Sequence, residues 1–262
     1  MAGGAARGRR TTTVDAMAAP PHAVSLPVGE GARTRLNGKK VALPDDTVRA
    51  RVQRPHMNGR ATAQKTQLNG SAVAFAETYL RRSAELMRTI PAADMADVIE
   101  ILDTARGMRR QVFVCGNGGS ASTASHFAAG LSKEGSWEQP QKFRALTLTD
   151  NIAWLTSLAN DTDYTRVFVE QLKNHADPDD VLIAFSGSGN SRNVLLAVEW
   201  ANAHGLVTVG ITGRSGGELA TLAHHRVSVD SDHMGHIEEG HFLIQHLITY
   251  YFMEAHRNGG EG

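Results

Sequence analysis

Two short stretches of the chain carry residue types suited to holding a small anion: Gly116-Asn117-Gly118-Gly119-Ser120-Ala121-Ser122 and Ser186-Gly187-Ser188-Gly189-Asn190-Ser191. Glycine lets a backbone turn sharply and approach a ligand closely, and free N–H groups at a helix start attract negative charge without a formal cation. Serine hydroxyls add further donors. Each stretch follows a short apolar run and precedes a helical pattern, so both are read as strand-to-helix loops that bind and release a phosphate monoester. Either loop alone could be a tight turn with a serine cap. Two of them on one sheet favour the anion. Gly116, Gly118 and Ala121 also satisfy a loose dinucleotide-binding pattern, but that pattern wants an acidic residue about 20 positions further on. The candidate, Asp150, lies 34 positions beyond Gly116. No Gly-x4-Gly-Lys-Ser/Thr phosphate loop is present.

A second constellation is built from histidine and carboxylate. Of the twelve histidines, His204, His224, His225 and His256 fall near helix ends, where they satisfy final carbonyls. His126 lies one to two turns into the helix opened by the first glycine loop. Glu238, Glu239, His241 and His246 share the last helical pattern. At about 100° per residue, Glu239 and His246 differ by about 20° around the axis and Glu238 and His246 by about 80°, with about 12 Å of rise between the latter two. Imidazole with carboxylate suits a divalent ion of the zinc class or an acid–base pair. The same residues can be first-turn acids facing the helix dipole and a core histidine, and spacing alone leaves the choice open.

The elements that must position these groups alternate. Two helical runs come first, one carrying Val73, Phe75, Tyr79, Leu80, Leu86 and Met87, the other Met95, Val98, Ile99 and Leu102 behind Pro91. Short apolar runs at 112–115, 145–148, 181–185, 207–211 and 227–229 then read as strands, with helices near 120–132, 151–174, 191–204, 215–223 and 236–256. Continuously apolar strands separated by helices predict a parallel sheet covered on both faces, hence a three-layer α/β/α sandwich preceded by two helices.

Composition bounds the rest. Lys plus Arg and Asp plus Glu both number 27, so no overall field holds nucleic acid or an anionic membrane. The balance hides a split: residues 1–64 hold eleven basic against four acidic residues, a net +7, which leaves −7 on the remainder. Residues 1–66, without an aromatic side chain or a period, are read as a disordered basic tail, and residues 67–258 as one folded domain. A transit peptide is the alternative for the tail, against which stand scarce serine and the acidic pair Asp45 and Asp46. One cysteine, Cys115, excludes an internal disulfide and a cysteine-based zinc site and suits a reducing compartment. No apolar run approaches the roughly 18 residues of a membrane span.

Taken together, Cys115-Gly-Asn-Gly-Gly-Ser120, Ser125-His126-Phe127-Ala128, Leu148-Thr149-Asp150, Asn160-Asp161, the loop from Ser186 to Ser191, Thr212-Gly213 and Gly216-Gly217 resemble the sugar isomerase (SIS) domain family. The likeness covers about residues 72–254 and is nearest to the phosphoheptose isomerase branch, which interconverts sedoheptulose 7-phosphate and a manno-heptose 7-phosphate. It implies a flavodoxin-like sandwich with a five-stranded parallel sheet, in the cytoplasm, assembled as a homotetramer with sites between subunits. It implies sugar contacts from Asn117, Gly118, Gly119, Ser120, Thr149, Asp150 and Glu238, and phosphate contacts from Ser186, Gly187, Ser188 and Ser191. It implies a divalent ion, zinc in the first instance, on His126, Glu238 and His246, with catalysis through an enediol by His246 and Glu238 or Glu239. The expected ligand is a small phosphorylated sugar, with neither membrane nor specific nucleic acid as partner. The family carries a glutamate one turn beyond the metal histidine, where this chain has Gly130; Glu134, one turn further, is a possible substitute. That departure makes a non-catalytic phosphosugar-binding regulator the alternative to an isomerase.

Overall fold

The computed structural model describes residues 71–259, so the basic tail expected over residues 1–66 lies outside the described residues. Five strands, β1 (Gln111–Cys115), β2 (Arg144–Thr147), β3 (Val181–Ser186), β4 (Val207–Gly213) and β5 (His225–Val229), form one sheet in the order β2-β1-β3-β4-β5. Every neighbouring pair is parallel. Their side chains alternate between two buried faces. Val112 and Val114 join one core with Ile183, Val209 and Val227, whereas Phe113, Cys115, Leu182 and Ala184 join the other. The Cys115 thiol is wholly buried, which pushes its pKa up to about 12.

Helices cover both faces, as expected for strands with no solvent side. On the first lie α2 (Ala92–Gly107), α3 (Gly119–Ser132) and α8 (Met234–Gly259); on the second lie α5 (Val169–His175), α6 (Arg192–Ala203) and α7 (Leu219–Leu222). The chain leaves β1 toward β2 on one side, while β3 leads to β4 on the other. The loops after β1 and β3 therefore part at the switch point of the sheet, where an open parallel sheet presents a crevice.

Three elements differ from the sequence expectation. The helix expected over residues 151–174 is broken into α4 (Ile152–Asp161), a 3-10 turn (Tyr164–Arg166) and α5. Asp163 is extended and its side chain accepts from the Thr165 N–H, restarting the chain as a new cap. The helix near 215–223 shrinks to the four residues of α7, because Gly216 and Gly217 take left-handed φ of 88° and 55°. α8 begins at Met234, two residues earlier than expected.

The first helix, α1 (Ala72–Met87), forms where expected, but none of its residues is buried. It is tied to α8 by polar contacts. Tyr79 and Ser83 both donate to the Glu239 carboxylate, at 2.7 and 2.8 Å.

Candidate phosphosugar site

The loops after β1 and β3 converge on a cavity of about 290 Å³, lined by residues 117–120, residues 185–188, Ser191, Met234 and Glu238. α3 opens directly from the first loop, the Ser120 N–H bonding the Asn117 carbonyl and the Ala121 N–H that of Gly118. In the second loop the Ser186 hydroxyl donates to Ser191 at 3.2 Å, and the Asn190 N–H to the Ser188 hydroxyl at 3.2 Å. Hydroxyls and helix-start amides thus surround a hollow that contains no lysine or arginine, a setting for a reversibly bound phosphate.

Glu238, in the second turn of α8, brings a carboxylate against the first loop. A Cβ built at Gly119 would stand 2.5 Å from its Oε1, so only glycine there lets α3 and Glu238 meet. A carboxylate beside the start of a helix is electrostatically at ease. Of the residues expected to contact the ligand, Asn117, Gly118, Gly119, Ser120, Ser186, Gly187, Ser188, Ser191 and Glu238 are brought together in this cavity. Thr149 and Asp150 are not in its lining. They sit just beyond β2, where the Ser125 hydroxyl of α3 bonds both, with Thr149 Oγ1 at 3.0 Å and the Asp150 carboxylate closer still.

The histidines form a separate group. His126 Nε2 and His246 Nε2 face one another at 3.1 Å, and Phe242 packs edge-on against both rings. One ring must donate and the other accept, so the contact needs at least one neutral imidazole. Burial, and less strongly the nearness of His126, holds His246 below the ordinary histidine range. Two nitrogens so placed fit two corners of a tetrahedral ion whose Zn–N bonds are about 2.0–2.1 Å. The third donor does not join them: among the described residues no group of three or more His, Cys, Asp or Glu side chains is placed to hold a metal. A zinc site takes at least three protein ligands, so the expected set of His126, Glu238 and His246 does not fit zinc within one chain.

Three other expectations meet a different structure. Glu239 is not a free acid–base group, since both its oxygens are taken by Tyr79 and Ser83; in turn that hydrogen bond, with burial, raises the Tyr79 pKa. Glu134 lies past the end of α3 in a 3-10 turn, paired with Lys133 at 3.1 Å and away from the cavity. Gly130 is pressed against α8: a Cβ there would stand 2.9 Å from Thr249 Oγ1 and 3.0 Å from Cγ2. A larger side chain at 130 has no room unless Thr249 moves.

Beside the histidine pair, α8 also buries a polar stripe, of which only His241 is among the residues singled out above. His241, Gln245 and Thr249 lie four residues apart; Gln245 and Thr249 have fully buried polar atoms without hydrogen-bond partners, and the equally buried His241 ring has no well-formed hydrogen bond, the nearest partner being the Thr212 backbone. Burial lowers the His241 pKa to about 4, against a smaller opposing pull from the Thr212 backbone.

This combination, a parallel sheet in the order 2-1-3-4-5 with two serine–glycine cradles at its switch point, coincides with a family match: residues 78–213 fit the SIS domain, and the chain belongs to that family. Within it, the chain stands in the phosphoheptose isomerase-like branch. It is 39% identical over 157 residues to the phosphoheptose isomerase of Akkermansia muciniphila, covering 60% of this chain and 82% of that one. It is 43% identical over 145 residues to that of Mycobacterium tuberculosis, covering 55% and 74%. Among solved structures, a phosphoheptose isomerase from Francisella tularensis superposes with a TM-score of 0.66 at 27% identity, over 71% of this chain and all of the other.

Proposed function

We propose that the chain is a sugar-phosphate isomerase that interconverts an aldose and a ketose phosphate, with sedoheptulose 7-phosphate as the first substrate to try. The observation that carries this reading is the convergence of both hydroxyl-lined loops and the Glu238 carboxylate on one cavity of about 290 Å³. Ser186, Ser188 and Ser191, with the backbone amides of their loop, would hold the phosphate. The first loop would hold the sugar. Isomerisation removes a proton from the carbon beside the carbonyl to give an enediol, then returns a proton to the former carbonyl carbon. Glu238, whose carboxylate lines the cavity, is assigned to carry that proton.

His246 is assigned to the second proton transfer, between oxygens, on the strength of the resemblance. Its ring lies outside the cavity lining, and a homotetramer with sites between subunits is the arrangement that would bring it to a substrate. Phe242, Leu243, Leu247, Tyr250 and Tyr251, all exposed on α8, offer the apolar surface such an assembly would cover. The divalent ion takes no part in this reading, since Glu238 and the two histidines stand apart. Among the described residues no helix is long and apolar enough to cross a membrane. Action on a phosphorylated sugar in the cytoplasm is part of the proposal.

The tight fit of Gly130 against Thr249 favours a second reading, in which the site binds a phosphosugar without turning it over. One experiment separates the two. Incubation of the full chain with sedoheptulose 7-phosphate should produce a new aldose phosphate. If none forms while the ester still raises the midpoint of thermal unfolding, the isomerase reading fails and the binding reading stands.

A further inference from the structure

The side chain of Asn117, at the first loop of the cavity, is held by two residues from other elements. Its Nδ2 donates to Asn193 Oδ1 at 2.9 Å, and its Oδ1 accepts from Asn193 Nδ2 at 2.8 Å and from the Tyr164 hydroxyl at 3.0 Å. Asn193 belongs to the first turn of α6, the helix opened by the phosphate loop, and is only 4% exposed. Tyr164 comes from the 3-10 turn between α4 and α5.

The orientation of these amides is fixed by the backbone. The Val194 N–H donates to Asn193 Oδ1 at 3.0 Å, so that atom is the acceptor and its neighbour the donor, and the same choice then follows for Asn117. An asparagine amide has two N–H donors and one oxygen with two acceptor positions. Both acceptor positions of Asn117 are filled, and one donor is used. A single N–H is left.

We infer that Tyr164 and Asn193 are positioning residues that hold Asn117 as a one-donor group for an oxygen of the sugar, and that the Asn117–Asn193 pair ties the sugar loop to the phosphate loop. A lone, oriented N–H recognises an acceptor, which in the proposed reaction is the carbonyl oxygen or the enediolate oxygen it becomes. It gives nothing to a ligand group that can only donate. Because the Tyr164 hydroxyl bonds Asn117, its effect falls on the sugar end. Asn193, rooted in the helix of the phosphate loop, bears on both ends.

This inference rests on the sugar-phosphate reading, and calorimetric titration of the full chain with sedoheptulose 7-phosphate and with inorganic phosphate tests the two apart. Tyr164 is 57% exposed, so Tyr164→Phe removes one hydroxyl without opening the core. It should weaken the sugar ester by about three- to tenfold, the size of one hydrogen bond, and leave inorganic phosphate unchanged. Asn193→Asp keeps the acceptor for Val194 but loses the donor to Asn117; it should weaken the ester more than Tyr164→Phe does. An ester affinity untouched by Tyr164→Phe, or an equal loss for both ligands as a merely structural role would give, overturns the inference while the sugar-phosphate reading stands. Wild-type protein that binds neither ligand overturns both. If Asn193→Asp does not fold, Tyr164→Phe alone decides.

Discussion

The cavity and the histidine pair are neighbours on the same two helices, yet they are built to different degrees of completion. In the cavity each group has an evident counterpart: serines bond serines, Asn117 is held from two sides, and Glu238 fits the bare Cα of Gly119. Around His126 and His246, about two helical turns further along, no third ligand joins them among the described residues, Gly130 closes on Thr249, and buried Gln245 and Thr249 atoms go unpaired. On the proposed reading, a single chain therefore carries the groups for binding in finished form and those for proton transfer in part. Binding and turnover should come apart under mutation.

The sharpest break should come from His246→Ala. If His246 moves a proton, turnover of sedoheptulose 7-phosphate should fall by about 10²- to 10⁴-fold, while calorimetry shows the ester bound as before. Equal loss of both would merge the two regions into one. Next in size is the double substitution Ser186→Ala with Ser188→Ala, which removes two donors to a charged ester. Affinity for sedoheptulose 7-phosphate and for inorganic phosphate should fall about a hundredfold or more. Retained thermal protection would place the phosphate elsewhere.

Acid should unsettle the histidine region first. Because His241 has its pKa lowered to about 4 by burial, the folded state resists a proton that the unfolded chain accepts near 6.5. Above that pH it contributes nothing to the pH dependence. As pH falls from about 6.5 to about 4 the fold should lose roughly 3 kcal/mol on its account, measurable as a falling urea midpoint that His241→Phe makes shallower. The smallest effect tests the helix contact. Gly130→Ala places a methyl against Thr249 and should cost about 1–3 kcal/mol of stability, with most of it recovered when Thr249→Ala is added. Failure of that rescue would mean the cost does not arise from the Thr249 contact between α3 and α8.

Much of the cavity was legible in the sequence because its signals are local. Glycines and serines between an apolar run and a helix declare a loop and its chemistry within a few residues, and β1 and β3 end where their runs of Val, Phe, Leu and Ile end. What escaped depends on partners distant in the chain. Helical spacing put Glu239 and His246 on one face, but it could not show that Tyr79 and Ser83, about 160 positions earlier, claim the Glu239 carboxylate. It set Glu238 and His246 about 12 Å apart along the axis, which lets one ion reach both only from midway, and in the structure the carboxylate does not join the two imidazoles. Asn193 had a faint signal as a polar residue in the first turn after the phosphate loop. Tyr164 had none, since the helix expected through it is interrupted by the Asp163 cap.

The chain's single thiol lies sealed at the tip of β1, reluctant to ionise. Maleimide dyes and spin labels react through thiolate and should pass it by. A cysteine introduced at an exposed site such as Ile152, 71% accessible at the first position of α4, would then be a unique attachment point without replacing the native cysteine. Whether copies associate, and whether the α4–α5 segment shifts when a ligand is added, become directly readable by spectroscopy.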